Sequence, residues 1–433
     1  GLGDVYKRQK IKIEAMTKRL ILAFVFLSWH LVACSNGDSG ISSGLPDKPS
    51  AEEDSPGTET ISEEMRVKIT GEDLYISAKL DAKTDILYWF KKCMFNELFT
   101  FYRVGTIDNN MPAPVTLPDA SPTSLLNLAY SDNIGPFNIT GYGWCGGNHP
   151  YLDEVTQTAR NIGYRIYIDG KEIKTDLSTL TKEIKIEVIN EIMNPSKADT
   201  SSGKTLLNEI LCIETVNYSI YRNNIQVLVT HEFQNESPVT VQMYYGMQSM
   251  FDKETHTLTA NGKYVDWTVQ KDVSTFTKKE YPSFRRFIEK SANAYQSSYL
   301  FADGLGNHEE ISDDDIIFIG NSSNKTYHKI IADREHKKGD IIHWSGVYTW
   351  FKSPVSDDDD LLCYEGVIDN KKVLFIDCKK NVDRTIQLPV DYTKKSFTII
   401  EKSKSITITG NKVTAKGLRI VSDGSGSCVI TFD

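Results

Sequence analysis

Hydrophobic and polar residues alternate along most of this chain, and few stretches carry the spacing of an amphipathic helix. In the run NNIQVLVTHEF, one face carries Ile225, Val227, Val229, His231 and Phe233. The other face is polar except for Leu228. Such alternation with a period of two residues predicts a half-buried β-strand. Because His231 lies on the apolar face, it is interpreted as a core histidine rather than a ligand.

Short turn sequences separate many of these runs. Asp169-Gly170, Asn223-Asn224 and Gly410-Asn411 are dipeptides that favour tight hairpin turns. Successive hairpins without long helices between them favour antiparallel sheets over a βαβ fold. We therefore expect an all-β protein in which residues 63–352 form a large antiparallel β-sandwich. The acidic run SPVSDDDD marks a boundary, beyond which residues 353–433 are expected to form a small C-terminal β-module.

The start of the chain has the features of an export signal. Between residues 16 and 33 a basic pair precedes an apolar run, and a small residue stands just before Cys34. The apolar run is shorter than the roughly 20 residues that a bilayer-spanning helix needs. The segment resembles the lipobox of bacterial lipoproteins, which implies cleavage before Cys34 and lipidation of that cysteine. Residues 1–15 precede this signal and are interpreted as a non-native leader.

The lipobox resemblance implies a protein of the bacterial cell envelope, held at the outer membrane by its lipid anchor alone. Residues 34–62 contain no aromatic residue and are rich in Ser, Gly and acidic side chains. Since such a composition cannot bury enough apolar surface to fold, this segment is predicted to be a flexible acidic tether. The formal net charge of the chain is −9, which argues against a nucleic-acid partner.

The remaining cysteines offer a disulfide candidate, because an export context permits disulfides. They are Cys93, Cys145, Cys212, Cys363, Cys378 and Cys428. The runs LLCYEGVI and VLFIDCKK flank a short turn, and a turn centred on Asn370-Lys371 places Cys363 directly opposite Cys378. Directly opposed residues of a hairpin lie within reach of a disulfide. Cys363 and Cys378 are therefore the predicted pair.

Chemically capable side chains are densest in GWCGGNHPYLDEVTQTAR, residues 143–160. Its three early glycines allow a tight turn with positive φ. The side chains that suit the face and hydroxyls of a sugar are Trp144, Asn148, His149 and Tyr151. His149 is also a candidate for proton transfer. The alternative is a buried turn in which His149 bonds to the backbone and Trp144 belongs to the core.

A second candidate is the strand VTVQMYYGMQSM, residues 239–250, whose alternation places Tyr244 on the polar face. The longer run from Val216 to Gln248 resembles the central strands of the galactose mutarotase-like supersandwich, a fold that also occurs in polysaccharide lyases. The resemblance implies a sugar groove faced by this strand. The histidine that aldose epimerases carry before their aromatic residue is absent, because Met243 stands there. The alternative for Tyr244 is the ordinary preference of aromatic residues for strands.

One reaction fits these residues on such a scaffold. β-Elimination of a uronate needs a base and a group that neutralises the carboxylate. His149 or Tyr244 is the candidate base, and Arg160, Asn148 or Gln248 is the candidate partner of the carboxylate. The sequence contains no zinc signature, P-loop or dinucleotide fingerprint, so we expect neither a metal nor a cofactor.

Two functions follow from these observations. The first is a lipid-anchored carbohydrate-active enzyme, a lyase acting on an acidic polysaccharide through His149, Tyr244 and Arg160. The second is a non-catalytic glycan-binding or structural surface lipoprotein, in which aromatic side chains stack on sugar and no residue performs chemistry. In the run FRRF, Arg285 and Arg286 are candidates for binding an acidic glycan, or else for packing along the surface with their charges in water.

Overall fold

The computed structural model describes residues 61–116, 134–250, 285–292, 294–311 and 326–433. It also describes the backbone of residues 124–126, 256–258, 264–266, 274–276, 317–320 and 325. The predicted leader, signal, Cys34 and nearly all of the tether lie outside the described residues. Among the described residues there is no α-helix, and the prediction of an all-β protein is confirmed.

The described residues up to Met250 form sixteen strands. In chain order they are β1 (Met65–Thr70), β2 (Asp73–Lys79), β3 (Thr84–Cys93), β4 (Leu98–Asp108), β5 (Ser124–Leu126), β6 (Phe137–Ile139), β7 (Gly143–Cys145), β8 (Ala159–Ile168), β9 (Lys171–Ile173), β10 (Leu177–Thr181), β11 (Ile184–Met193), β12 (Ala198–Asp199), β13 (Leu206–Leu207), β14 (Ile210–Tyr221), β15 (Asn224–Phe233) and β16 (Val239–Met250). A short 3-10 helix at Pro195–Lys197 precedes β12.

The second half continues with strands β17 (His256–Leu258), β18 (Tyr264–Asp266), β19 (Ser274–Phe276), β20 (Arg286–Lys290), β21 (Tyr295–Leu300), β22 (Ile317–Gly320), β23 (Lys325–His336), β24 (Ile341–Phe351), β25 (Ser356–Asp357), β26 (Leu361–Ile368), β27 (Lys371–Cys378), β28 (Val382–Ile386), β29 (Phe397–Lys402), β30 (Ile406–Ile408), β31 (Leu418–Ser422) and β32 (Gly426–Phe432). Two further 3-10 helices lie at His308–Glu310 and Val390–Tyr392.

Three sheets make the sandwich. The ten-stranded sheet has the order β18-β17-β20-β21-β24-β15-β14-β11-β8-β9. The N-terminal sheet has the order β10-β1-β2-β3-β4-β5, and the middle sheet has the order β19-β22-β23-β16-β6-β7. The predicted alternation of β15 is confirmed, since Val227, Val229 and His231 are buried while Leu228 is 41% exposed. Each such strand therefore contributes one apolar face to a core.

The N-terminal sheet and the middle sheet cover the same face of the ten-stranded sheet. Tyr218 of the ten-stranded sheet contacts Phe90 of the N-terminal sheet at a ring-centroid distance of 5.5 Å. On the same face, Phe233 contacts Phe137 of the middle sheet at 6.0 Å. These residues belong to one continuous apolar core. Burial of apolar side chains along this shared face is the main force that holds the three sheets together.

The C-terminal strands cover part of the other face of the ten-stranded sheet. They form a five-stranded sheet, β25-β26-β27-β32-β29, and a three-stranded sheet, β28-β31-β30. Tyr364 stacks on Phe351 of the ten-stranded sheet at 4.3 Å, and its hydroxyl is 2.6 Å from that of Ser297. Arg286 donates to Asp377 at 2.5 Å. The segments 63–352 and 353–433 thus meet through an apolar and ionic contact, and their division into domains stays a prediction.

The predicted hairpin turns have different outcomes. Asp169-Gly170 is confirmed, because Ile168 pairs with Lys171 across it. The second turn lies one residue earlier than predicted, since Tyr221 pairs with Asn224 and Arg222 takes the positive φ of 47°. The turn at Gly410-Asn411 does not join two strands of one hairpin, because β30 pairs with β31 instead. A turn dipeptide is a local preference, and pairing with a distant strand overrides it.

The predicted disulfide between Cys363 and Cys378 is wrong. The turn between β26 and β27 is centred on Asp369-Asn370, both with positive φ, rather than on Asn370-Lys371. The register therefore differs by two residues, and Cys363 lies opposite Ile376. The six cysteines within the described residues are all free thiols. A turn placed one residue away is enough to separate two cysteines in a hairpin.

Membrane crossing by a helix has no support in the described residues. None of their helices is long and apolar enough to span a bilayer.

Candidate functional site

The glycine-rich turn is a rigid structure held by two buried polar residues. Gly146 and Gly147 have φ values of 77° and 49°, as the sequence predicted. The Asn96 amide donates to the carbonyl oxygens of Gly147 at 2.8 Å and His149 at 3.2 Å. The Thr158 hydroxyl also donates to the His149 carbonyl, and it accepts from the Gly146 amide at 3.1 Å. Because Asn96 and Thr158 are buried, these bonds fix the shape of the turn.

Trp144 joins the turn to the middle of strand β16. Its ring stacks on His149 at a centroid distance of 5.3 Å and on Tyr245 at 6.1 Å. Tyr245 in turn contacts Tyr327 at 4.2 Å. The turn and this strand, which lie about a hundred residues apart in sequence, therefore do meet. The residue through which they meet is Tyr245 and not Tyr244.

Tyr244 points into the core, against the prediction that it lies on a polar face. The pairing of β16 with β6 is irregular between Val241 and Met243, where two residues oppose one. A bulge of this kind shifts the alternation by one residue and so turns Tyr244 inward. Its hydroxyl donates to the Ile134 carbonyl at 2.8 Å and accepts from the Trp344 indole at 2.8 Å. Burial holds the pKa of Tyr244 well above its usual value. Tyr244 is therefore neither reachable nor easily ionised.

The other predicted partners are occupied as well. The Arg160 guanidinium is exposed on the outer face of the ten-stranded sheet and pairs with Glu191. The Asn148 side-chain oxygen accepts from the Phe95 amide at 2.7 Å. Gln248 is buried, and its backbone oxygen accepts from Tyr348 at 2.5 Å. Tyr151 is half-buried at the start of the following loop.

His231 is a buried core residue, as its place on the apolar face of its strand predicted. It lies 2.9 Å from the Glu214 carboxylate, and neither side chain reaches solvent. Glu214 also accepts from Asn190 at 2.9 Å. The set of His149, Tyr244 and Arg160 that a uronate lyase needs is thus not assembled, because Tyr244 is sealed in the core and Arg160 is paired. The predicted cation of the turn, Arg160, is therefore already paired with a carboxylate.

A second aromatic surface lies on the outer face of the N-terminal sheet, away from the core. Tyr75 of β2 and Trp89 of β3 are directly opposed, and their rings stack at a centroid distance of 5.4 Å. Their neighbours Leu74 and Phe90 point to the core, so alternation places Tyr75 and Trp89 outside. Both rings are half-buried and leave part of their surface to solvent.

Tyr102 joins this surface through a bulge. Trp89 pairs with Arg103 of β4 while Phe90 pairs with Phe101, so Tyr102 is the extra residue on β4. The bulge directs the Tyr102 ring outward, where it meets Trp89 edge to face at 5.1 Å. The sheet thus carries three neighbouring aromatic rings on one exposed face.

Lys91 places a cation on these rings. Its ammonium lies 4.2 Å from the ring centroid of Trp89 and 4.2 Å from that of Tyr102. This position is favourable because the face of an aromatic ring attracts a cation. The indole of Trp89 is fixed by donation to Asp73 at 2.9 Å. We call Tyr75, Trp89, Lys91 and Tyr102 the aromatic–lysine surface.

Two further cations flank the aromatic–lysine surface. Lys68 of β1 is opposite Tyr75, and Arg103 of β4 is opposite Trp89. Within the described part of the chain, no carboxylate forms an ion pair with Lys68, Lys91 or Arg103. The nearby Lys92, in contrast, is paired with Glu72 at 2.9 Å. The surface therefore combines stacked rings with cationic groups that form no ion pair with a described carboxylate, although the Asp73 carboxylate also lies beside Trp89.

Sequence reasoning missed this surface, although a signal was present. In DLYISAK and ILYWFKK, Tyr75, Trp89 and Lys91 fall on the positions that alternate with the apolar core residues. Large aromatic residues on the polar face of a strand are unusual where nothing covers them. The outward position of Tyr102 depends on the bulge, so only the structure shows it. Among the described residues, no group of His, Cys, Asp and Glu is arranged to bind a metal ion.

No protein-family model matches the sequence, and no curated protein matches it. Similar solved structures include a family 36 α-galactosidase from Geobacillus stearothermophilus, with 9% identity and a TM-score of 0.37, over 67% of this chain and 41% of that one. A heparan sulfate lyase from Pedobacter heparinus has 8% identity and a TM-score of 0.30, over 72% of this chain and 41% of that one. A protein described as an aldose 1-epimerase from Klebsiella pneumoniae has 9% identity and a TM-score of 0.26, over 67% of this chain and 88% of that one. This chain thus spans well under half of the first two structures. At such distances the similarity assigns no activity to this chain.

Proposed function

We propose that this protein binds an acidic polysaccharide at the aromatic–lysine surface and does not cleave it. One observation carries the proposal, namely that the Lys91 ammonium lies 4.2 Å from two half-exposed rings and has no carboxylate partner among the described residues. A cation held beside aromatic rings offers both contacts that an acidic sugar needs. The ligand class follows from that combination.

The rings supply the contact with the sugar ring. The C–H faces of a pyranose pack on flat aromatic surfaces, and Trp89 and Tyr75 provide two adjoining rings inclined by only 29°. Burying apolar surface against such rings is favourable. The hydrogen-bonded pairing of β2 with β3 and the bond from Trp89 to Asp73 already fix the rings. Binding therefore costs little side-chain conformational entropy.

The cations supply the contact with the acidic group. A carboxylate or sulfate on the sugar forms charge-assisted hydrogen bonds with the lysine ammonium or with a guanidinium. Lys68 and Arg103 flank the rings on the neighbouring strands, so successive acidic units of one polymer can meet successive cations. This arrangement favours an acidic glycan over a neutral one.

Binding without cleavage is favoured by the state of the predicted catalytic residues. The Tyr244 hydroxyl is buried in two hydrogen bonds, and the Arg160 guanidinium is paired with Glu191. A lyase needs a base and a carboxylate partner that meet at one substrate position. Neither residue is available for that role here.

The cellular setting is part of the same proposal. Lipidation of Cys34, with residues 34–62 as a tether, is proposed to hold the glycan-binding body at the outer membrane of a bacterial envelope. Metabolic labelling with a fatty-acid analogue tests this, because label is expected in the native protein and not in Cys34→Ala. Label retained in Cys34→Ala contradicts the anchoring proposal and leaves the binding proposal untouched.

Affinity electrophoresis tests the binding proposal. The purified protein is run through gels that contain a uronate polymer, a sulfated polymer, a neutral polymer or single-stranded DNA. We expect one of the acidic glycans to retard the native protein. This retardation is expected to be lost in Trp89→Ala. It is expected to be kept in the control Trp144→Ala, which removes an indole ring from the glycine-rich turn instead. Incubation of the same glycans with the protein is expected to produce no unsaturated-uronate absorbance.

Three results contradict the proposal. One is equal retardation of Trp89→Ala and the native protein, since this surface is then not the site. Another is retardation by DNA stronger than that by any glycan, since the rings then stack on bases. The third is release of unsaturated uronate by the native protein, which restores the lyase hypothesis.

A further inference from the structure

A cleft of about 530 Å³ lies where the C-terminal strands meet β20 and β21 of the ten-stranded sheet. Its lining residues are Arg285, Arg286, Tyr299, Glu309, Glu401, Lys402, Ser403, Lys404, Ser405, Ser425 and Ser427. Sites for small ligands are common at such junctions, because two separately folded surfaces leave a concave space between them. The cleft is on a different sheet from the aromatic–lysine surface.

The charges that line the cleft are mainly positive. Four of the lining side chains are cationic and two are acidic. Glu401 is already neutralised, since it pairs with Arg285 and accepts from the Tyr299 hydroxyl. Arg286 is paired with Asp377 at 2.5 Å and packs on the Tyr299 ring. Of the two acidic groups, Glu401 is thus compensated within the protein.

Several donors remain available at the cleft. The Arg285 Nη1 atom is buried and has no hydrogen-bond partner in the part of the chain that the structure describes. Lys404 is exposed and forms no ion pair with a described residue. Among the described residues, the Lys402 ammonium donates only to the Ile406 carbonyl, at 3.0 Å. An unpaired buried donor costs free energy, which a bound acceptor recovers.

Hydroxyl groups complete the lining. Ser403 and Ser405 lie in the connection after β29, opposite Ser425 and Ser427 at the start of β32. The Ser403 hydroxyl accepts from the Ser427 amide at 3.0 Å, and the Ser405 hydroxyl donates to the Ser425 carbonyl at 3.0 Å. Between them Gly426 has no room for a side chain, because a Cβ there lies 2.4 Å from the Ser405 oxygen. The serines are therefore held in fixed positions along one wall of the cleft.

We propose that this cleft binds an oxyanion, in the form of a sulfate, phosphate or carboxylate group, through Arg285, Lys402 and Lys404, with the serines shaping one wall. Guanidinium and ammonium donors that converge on one space are groups that bind such anions in proteins. The oxyanion is either a free ion or the acidic group of a saccharide. The site is independent of the aromatic–lysine surface.

Binding there is expected to stabilise the folded protein. One wall of the cleft comes from β20 and β21, and the other from the connections around β29 and β32. A ligand that contacts both walls is bound only when the C-terminal strands are docked on the ten-stranded sheet. The stabilisation grows with the logarithm of ligand concentration above the dissociation constant.

Isothermal titration and thermal unfolding of the full protein test the proposal. The probes are sodium sulfate, sodium phosphate, a monomeric uronate and a sulfated disaccharide, each against sodium chloride at equal ionic strength. We expect saturable binding of at least one probe and roughly tenfold weaker binding in the double variant Lys402→Gln, Lys404→Gln. The matched control is Lys412→Gln, Lys416→Gln, which removes two exposed lysines of the same segment and is expected to bind normally.

A variant that is expected to strengthen anion binding sharpens the test. Glu401→Gln removes a negative charge from the cleft and weakens the hold on Arg285, so it is expected to tighten anion binding by several-fold. If the sulfated disaccharide binds more tightly than sulfate, the natural ligand is the acidic group of a saccharide. If sulfate or phosphate binds more tightly than either saccharide probe, the natural ligand is a free ion.

Three outcomes overturn the proposal. The first is that no probe binds saturably. The second is that the two double variants lose anion affinity equally. The third is that Glu401→Gln binds anions as the native protein does. Glycan retardation by the aromatic–lysine surface is expected to be unaffected in every cleft variant. Failure of the cleft proposal is therefore distinguishable from failure of the proposed polysaccharide binding.

Discussion

The glycine-rich turn and the aromatic–lysine surface present similar aromatic groups and differ in charge. Trp144 stacks on two rings at 5.3 and 6.1 Å, and Trp89 contacts two rings at 5.4 and 5.1 Å. The cation near the aromatic–lysine surface has no carboxylate partner among the described residues, while the predicted cation of the turn, Arg160, is paired with Glu191. An available charge, more than a density of reactive side chains, separates a candidate site from a structural turn.

The two regions also use their polar groups differently. In the turn, Asn96, Thr158 and Asn148 bond to backbone groups and fix the chain. On the aromatic–lysine surface, backbone pairing between β2, β3 and β4 fixes the chain, so polar side chains are left for a ligand. The polar side chains of a segment rich in Asn, His and Gly can therefore be engaged in hydrogen bonds to backbone groups and not be left for a ligand.

The largest expected effect separates stability from binding. Asn96→Ala removes the group that bonds to Gly147, His149 and Thr158, and leaves buried backbone groups unpaired. We expect the free energy of unfolding to fall by about 3 kcal/mol, measured by urea titration. Binding of glycan by the folded fraction is expected to be unchanged. A loss of binding at full folding places the turn in the site after all.

The next effect tests Tyr244 as a structural residue. Tyr244→Phe keeps the ring but leaves the Trp344 indole and the Ile134 carbonyl without their partner. The expected loss of stability is about 2 kcal/mol in the same titration. If this variant instead keeps full stability while losing an activity on glycans, Tyr244 is catalytic and the comparison is reversed.

A smaller effect probes the charge on the aromatic–lysine surface. Lys91→Gln is expected to weaken binding of the acidic glycan by roughly fivefold and to reduce its salt dependence, because one charge-assisted contact is lost. Lys92→Gln, next in sequence and paired with Glu72, is the matched control and is expected to change little. Equal effects of the two variants contradict a specific role for Lys91.

A further expected effect is the dependence of stability on pH. Burial raises the pKa of Glu289 to about 8 from an ordinary 4.5, so the folded protein keeps a proton that the unfolded chain releases. Stability is therefore expected to fall as pH rises towards about 8, by at most about 1.4 kcal/mol per pH unit. Glu289→Gln is expected to remove this slope.

Glycan binding by the folded protein is expected to stay flat over the same range, since neither a lysine nor a uronate ordinarily titrates there. Binding that weakens as pH rises through about 6.5 indicates that a protonated histidine contributes.

The local patterns that the sequence predicted are the ones that depend on neighbouring residues. The alternation in β15 predicted which residues of that strand are buried, and it predicted His231 as a core residue. Asp169-Gly170 formed its hairpin because both residues accept a positive φ. The positive φ values of Gly146 and Gly147 were predicted on the same ground.

The errors arise where one residue of offset changes the outcome. The turn between β26 and β27 is one residue earlier than predicted, which places Ile376 and not Cys378 opposite Cys363. The bulge near Met243 turns Tyr244 inward and leaves Tyr245 to meet Trp144. Bulges and registers are set by pairing with distant strands, so the strand's own residues do not specify them.

The sequence by itself determined that this chain is a protein of antiparallel strands, because alternation and turn chemistry act over a few residues. Only the tertiary structure decided which charges stay available. Whether Arg160 has a carboxylate partner, and whether Lys91 lies on the rings of Trp89 and Tyr102, depends on which strands become neighbours. Charge pairing is a property of the assembled sheets, and that is why the candidate site emerged from the fold and not from the densest motif.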